Sequence, residues 1–242
     1  MIAISFPPSF DQEKLGSLID GLAAEAGANR LVLLGGDTTR SDILTVTITL
    51  FGEAVAEKVK SRASAKVGDA LYLSGLIGES AAGLRFLTGL RSELSESERA
   101  LVERHLIPPN RIGLSHFLTD NFTLNAMTDL SDGLAAGLQE LAQASKLGMQ
   151  CEYQALPLAA TLLHNFQPSE IEQFLLYGGE DYELLFTGPG GQAEELIRQT
   201  KAIHGVDIRC IGEVKERSFG VQLLKNGELS PLDGFGFEHF NL

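Results

Sequence analysis

Two short stretches gather carboxylates at spacings that could do chemistry: Asp129-Leu130-Ser131-Asp132-Gly133-Leu134 and Gly178-Gly179-Glu180-Asp181-Tyr182-Glu183. In the first, the acids stand at i and i+3 where a helical pattern of apolar residues begins. Carboxylates beside the free N–H groups of a helix start can bind Mg²⁺ while those N–H groups take a phosphate oxygen. Plain capping competes with that reading: Ser131 or Asp129 would be the N-cap, and an acid in the first turn suits the helix dipole. In the second stretch a glycine pair turns the chain and delivers three acids to the mouth of the apolar run Leu184-Leu185-Phe186. Glu180 there could hold a polar ligand or simply face water. Asp181 and Glu183 are expected to serve structure through backbone or ion-pair contacts. A further acid, Asp37 in Gly35-Gly36-Asp37-Thr38-Thr39-Arg40, follows glycines that would let backbone N–H groups approach a phosphate while Asp37 binds a cation. The same residues also suit a tight turn in which the Asp bonds its own backbone.

Basic groups are sparser. Arg62 carries the planar fork that suits phosphate, although Lys58, Lys60 and Lys66 make it equally a member of a solvated basic linker. Arg111 follows the Pro108-Pro109 stop and is a weak phosphate candidate in a segment read mainly as a helix end. Cys151 and Cys210 form no ligand spacing, nor do His105, His116, His164, His204 and His239, which read as ordinary surface or helix-end residues. No nucleophile–base pair stands out. Phosphoryl transfer to a phosphate that is already anionic needs none, because its difficulty is bringing two polyanions together.

The elements that must position these groups can be read from periodicity. Residues 2–5 form a short strand. Ser9, three residues before Gln12, suggests a capping box for a helix that carries Leu15, Leu18, Ile19 and Leu22 on one face and ends near Gly27 and Asn29. Residues 31–34 are expected to be a buried strand running into the Gly35-Gly36 turn. Residues 43–52 are expected to be a strand with Thr45, Thr47 and Thr49 on one face and Val46, Ile48 and Leu50 on the other. The charged run 57–66 marks a domain boundary. Beyond it, 71–74 reads as a strand, 79–87 and 96–105 as helices, and 125–129 as a strand feeding a helix over 134–145. Residues 184–187, 192–204 and 208–214 make a strand, helix and strand in a β-α-β unit. The class is α/β with mixed sheets.

The 242 residues are 44% hydrophobic, enough for one large or two modest packed domains. A net charge of −13 repels nucleic acid and anionic membrane, so neither is an expected partner. The same field repels a phosphorylated substrate, which then needs cations or a local basic cluster. The longest apolar stretch, 71–90, is broken by Glu79 and Arg85, which argues against a membrane span. Two thiols in a chain that begins without a targeting pattern are read as reduced, in a cytoplasmic protein.

Taken in order, the motifs from Gly35 to Arg40, from Asp129 to Leu134 and from Gly178 to Phe186 resemble those of the thiamine-monophosphate kinase family, within the PurM-like (aminoimidazole-ribotide synthetase-related) superfamily. The resemblance implies a PurM-like two-domain architecture, with residues 1–58 a remnant of the N-terminal domain and 59–242 the C-terminal α/β domain. It implies ATP-dependent phosphorylation of thiamine monophosphate to thiamine diphosphate, with Mg²⁺ and a homodimer. By position, Asp37, Asp129 and Asp132 would hold Mg²⁺, and Gly36, Asp37, Arg62 and Ser131 would contact ATP. Glu180 would contact the substrate. So would Phe237 in Gly236-Phe237-Glu238-His239-Phe240, as an aromatic platform for a cationic thiazolium ring. The family carries further motifs ahead of these, a Gly-Asp-Asp, a Thr-Asp with a His-Phe pair, and an Asn-Leu-Ser-Asp. None lies between Met1 and Gly35, so the N-terminal domain is expected to be incomplete, with an uncovered apolar strand and little turnover from these residues alone. A non-catalytic nucleotide- or thiamine-phosphate-binding remnant, and another ATP-dependent branch of the superfamily, are the competing functions.

Overall fold

The computed structural model describes residues 1–89 and 93–233. The chain divides into two compact units, Met1–Val55 and Ala56–Leu242.

The smaller unit runs β1 (Ile2–Phe6), α1 (Gln12–Ala28), β2 (Gly36–Arg40) and β3 (Thr45–Ile48). Its sheet has the order β2-β1-β3, with β2 parallel and β3 antiparallel to β1. Helix α1 is the crossover between the parallel strands, and Leu15, Leu18 and Leu22 form its half-buried stripe. Asp11, not Ser9, caps it: the Asp11 carboxylate accepts from the N–H groups of Glu13 and Lys14. The chain turns once more before the helix, with Phe10 N–H on the Pro7 carbonyl, which carries Ser9 out of capping position.

Residues 31–34 are not a buried strand. They lie outside the sheet, and Val32, Leu33 and Leu34 are well exposed. The register explains it, since Ile2, the first residue of β1, pairs with Gly36. The strand therefore begins at the glycine where a turn was expected. β3 is also shorter than the alternation suggested. Val46 is half-buried, but Ile48 and Leu50 are exposed.

The larger unit begins with a short 3₁₀ turn and then β4 (Asp69–Ser74), α2 (Glu79–Leu87), α3 (Glu96–Leu106) and α4 (Ile112–Asn121). It continues through β5 (Met127–Asp129), α5 (Leu134–Ser145), β6 (Gly148–Glu152), α6 (Ala160–Asn165) and α7 (Pro168–Tyr177). The last elements are β7 (Leu184–Pro189), α8 (Ala193–His204), β8 (Ile208–Lys215), β9 (Val221–Lys225) and β10 (Glu228–Pro231). Among the described residues its sheet has seven strands in the order β10-β9-β6-β8-β4-β7-β5. β4 is antiparallel to both β7 and β8, so the β7-α8-β8 unit is split, with its parallel strands flanking β4.

Period-two alternation sends side chains to both faces of this sheet. On one face Leu71, Leu73, Leu185 and Ile211 pack with Leu101 of α3, Leu134, Leu138 and Leu141 of α5, and Leu175 of α7. On the other, Tyr72, Leu184, Phe186 and Ile208 pack with Leu114 and Leu118 of α4 and Leu196 of α8. Tyr72 stacks on Phe186 with ring centroids 5.3 Å apart, across the β4–β7 register that pairs the two residues. With helices on both faces, the central strands read as continuous apolar runs. This rigid centre holds the loops that leave β5 and enter β7.

Candidate functional site

β5 ends at Asp129 and β7 begins at Leu184, and these two residues are partners in the antiparallel ladder. The motifs around Asp129 and Glu180 therefore run side by side off one end of the sheet. Backbone pairing continues into both loops: Leu130 N–H donates to the Glu183 carbonyl at 2.9 Å, Tyr182 N–H to Leu130 at 2.9 Å, and Glu180 N–H to Ser131 at 2.7 Å. Glu180 and Tyr182 adopt left-handed φ values of 66° and 50°. That conformation is uncommon outside glycine and asparagine, and here the cross-loop bonds hold it. Gly133 has φ 98°, and a Cβ there would stand 2.9 Å from the Gly178 carbonyl oxygen, so the first loop packs on the second only without a side chain.

Asp181 and Glu183 point inwards. Asp181 accepts from the N–H groups of Gly78 (2.7 Å) and Ser80 (3.2 Å), which caps α2 across the fold. Burial pushes its carboxyl up to about 7, opposed by those two bonds and by the Arg104 charge. Glu183 accepts from Ser74 Oγ (2.5 Å), Arg104 Nη2 (2.7 Å) and both Arg111 Nε and Nη2 (2.6 Å each). Arg111, a weak phosphate candidate on sequence, is thus engaged by a buried acid. Glu180 turns outwards, with a side chain 56% exposed. The nearby Tyr182 phenol is pushed up by partial burial and then by the charges of Glu180, Asp129 and Asp132, which places it in the same acidic field.

The capping role considered for Ser131 and Asp129 does not occur. The N-cap of α5 is Gly133, without a side-chain bond. Asp129 and Asp132 stay exposed and lightly engaged. Ser131 Oγ donates to Asp132 at 3.3 Å, and Arg62 Nη2 lies 3.9 Å from Asp129. Arg62 is not a free linker charge: its Nε donates to Thr128 Oγ1 at 2.8 Å and lies 3.2 Å from Glu140. With Lys60, Met127, Thr128 and Asp129, Arg62 lines an open depression of about 430 Å³.

Mg²⁺ takes oxygen ligands, keeps several waters and is usually held by one or two carboxylates together with substrate phosphates. Asp129 and Asp132 fit that donor set. Among the described residues no three His, Cys, Asp or Glu side chains are grouped as a metal-ligand cluster.

On the smaller unit, Gly36 and Asp37 open β2. A Cβ at Gly36 would sit 1.8 Å from the Ile2 carbonyl oxygen, so strand pairing itself requires glycine there. Asp37 is exposed, and its Oδ1 accepts from Thr38 N–H at 2.8 Å. The larger unit thus brings Arg62, Asp129, Ser131, Asp132 and Glu180 to one region. Phe237 lies outside the described residues. His105, read from sequence as an ordinary helix-end residue, stands 3.5 Å from Glu180, a contact that no residue spacing could have signalled.

Residues 66–223 match the family model described as "AIR synthase related protein, C-terminal domain". Over 236 residues the chain is 34% identical to thiamine-monophosphate kinase of Haemophilus influenzae, covering 96% of this chain and 71% of that one. The chain belongs to the thiamine-monophosphate kinase family. The Escherichia coli (strain K12) member is 35% identical over 239 residues, with 96% of this chain and 71% of that one aligned. A solved structure of AaThiL complexed with AMPPCP and TMP matches with a TM-score of 0.80 at 29% identity, covering 99% of this chain and 72% of that one. The family and its mixed α/β PurM-like fold, expected from the motifs, are those found. Among the described residues no helix is long and apolar enough to cross a membrane.

Proposed function

We propose that this chain phosphorylates thiamine monophosphate to thiamine diphosphate with ATP, by direct phosphoryl transfer assisted by Mg²⁺. The observation that carries the proposal is the likeness over 99% of the chain to a relative complexed with AMPPCP and TMP. The loops that carry the Asp129 and Glu180 motifs are paired to one another here, which supports a common site on the larger unit. Asp129 and Asp132 are the carboxylates for Mg²⁺ on the larger unit, and Asp37 is a Mg²⁺ carboxylate on the smaller unit; the cation when bound neutralises phosphate charge that a chain of net charge −13 would otherwise repel. Arg62 and Ser131 contact ATP, Arg62 as a fork already oriented by Thr128 and Glu140. The Gly36-Asp37 backbone contributes on the smaller unit.

Glu180 presents its carboxylate to the cationic or amine-bearing part of the substrate, and Phe237 provides an aromatic face. The attacking oxygen belongs to a phosphate that is already anionic, so no side chain needs to remove a proton, and positioning accounts for the catalysis. A homodimer in the cytoplasm is the setting we propose.

The test is ADP release by the purified chain with ATP, Mg²⁺ and thiamine monophosphate. Release that depends on thiamine monophosphate supports the proposal. Release with another phosphate acceptor but not this one assigns the chain to another branch of the superfamily. Saturable binding of both substrates without release makes it a binding protein.

A further inference from the structure

Glu180 sits in a conformation that leaves its side chain free to sample solvent, yet one polar contact restrains it. His105, in the last turn of α3, places Nδ1 3.5 Å from Glu180 Oε2. The imidazole is itself fixed. Its side chain is 12% exposed, and Nδ1 lies 3.0 Å from Oγ of Ser80, which has no solvent exposure. Ser80 in turn is held by its N–H, which donates to the Asp181 carboxylate at 3.2 Å. The chain of contacts therefore leaves the ligand loop at Asp181, passes through the first turn of α2 to His105, and returns to the loop at Glu180. The Glu180 backbone is pinned to Ser131. With its proton on Nδ1, the anchored ring can share that N–H between Ser80 Oγ and the Glu180 carboxylate, which favours the carboxylate rotamers that face it. A ligand that binds Glu180 meets a prepaid arrangement.

We propose that His105 is a positioning residue for substrate recognition: the imidazole, anchored on Ser80, sets the direction in which the Glu180 carboxylate faces thiamine monophosphate. The proposal rests on the reading of Glu180 as a substrate contact. It assigns no proton transfer to His105. It predicts that His105 matters for thiamine monophosphate and not for the nucleotide, because Arg62, Asp129 and Asp132 are not among its contacts.

The test is calorimetric titration of the full chain with thiamine monophosphate, and separately with AMPPCP and Mg²⁺, for the wild type, His105→Ala, His105→Asn, Ser80→Ala, Glu180→Gln and the double variant His105→Ala/Glu180→Gln. His105→Ala should weaken thiamine monophosphate about two- to fivefold, the range for a solvent-screened polar pair, because the Glu180 side chain is 56% exposed. It should leave the AMPPCP affinity unchanged. Asparagine can place an amide N–H near the Nδ1 position, so His105→Asn should recover most of the loss. His105→Ala should have no added effect once Glu180 is Gln, which a purely structural histidine would not show.

Ser80→Ala keeps the ring and removes its anchor, so it tests the proposal even if His105→Ala does not fold. Weaker thiamine monophosphate binding with unchanged AMPPCP binding is expected. If Glu180→Gln weakens thiamine monophosphate while His105→Ala and Ser80→Ala do not, the positioning role is wrong and the substrate reading stands. If the wild type does not bind thiamine monophosphate, or Glu180→Gln binds it as the wild type does, the substrate reading itself fails and this proposal with it.

Discussion

The Arg111 guanidinium meets the Glu183 carboxylate in a fork, with Nε 2.6 Å from Oε2 and Nη2 2.6 Å from Oε1, and Glu183 has no solvent exposure. Arg104 Nη2 adds a third charged donor at 2.7 Å. The last acid of the Gly178–Glu183 motif is therefore an anchor. It ties the start of β7 to the segment that follows α3, and so fixes the frame from which Glu180 projects.

Glu183→Gln should destabilise the larger unit by about 3–5 kcal/mol, the range for removing one partner of a buried ion pair. Two arginines would then face a neutral amide, with side chains only 21% and 17% exposed. Denaturant unfolding of the chain measures this. A loss below about 1 kcal/mol would place the pair with solvent-screened surface bridges.

Asp132→Asn should separate ligand binding from folding. The residue is exposed, does not cap α5, and receives a 3.3 Å hydroxyl bond from Ser131, so stability should change by less than about 0.5 kcal/mol. Affinity for an unhydrolysable ATP analogue with Mg²⁺ should fall by about tenfold or more, as expected for the loss of a charged metal ligand. A collapsed melting temperature with unchanged affinity would reverse the assignment and make Asp132 a structural residue.

How far the sequence could be read depended on where the deciding contact lay. Helices 79–87 and 134–145 were legible to the residue because their apolar period and end signals are local. The strand expected at 31–34 failed because strand identity there depends on register with β1, which apolar content does not encode. The hairpin of β9 and β10 carries a local signal, the Asn226-Gly227 pair between Lys225 and Glu228. Helix α4 has weak end signals, its N-cap Arg111 making no side-chain bond, whereas α7 carries Pro168 at its first position and Glu170 three residues after Gln167. At the site, the inward roles of Asp181 and Glu183 followed from acids placed at the mouth of an apolar strand. The partners of those acids, at Ser80, Arg104 and Arg111, are tens of residues away in the chain and were not legible. Nor was the approach of His105 to Glu180.

The two thiols should react unequally. Cys151 is buried in the core, and burial pushes its thiol up to about 12, whereas Cys210 is exposed on β8. A thiolate is the reactive species, so an alkylating agent should modify Cys210 in the native chain and reach Cys151 only after unfolding. Peptide mass spectrometry reads this directly. Equal native labelling would mean that β6 opens far more readily than its place in the sheet allows.

Asp181 should make stability fall as pH rises. Its carboxyl is pushed from 3.8 to about 7, chiefly by burial, so in the window between those values the folded state holds a proton that the unfolded state has released. Where the folded state binds more protons, raising the pH destabilises it, at most by about 1.4 kcal/mol per pH unit for one group. The contribution is fully present below about pH 4 and is lost by about pH 7. Asp181→Asn removes the titration. It also sets an amide NH₂ where one of the two Asp181 oxygens accepts from Gly78 or Ser80, so the variant should begin about 1–3 kcal/mol less stable. The stability difference between wild type and variant, followed by denaturant unfolding across this window, isolates Asp181 from the other titrating groups. The wild type's advantage should shrink as pH rises and reverse in sign towards pH 7 if the full slope is reached. If instead it grows, Asp181 is an ionised cap whose two helix N–H bonds and Arg104 outweigh its burial.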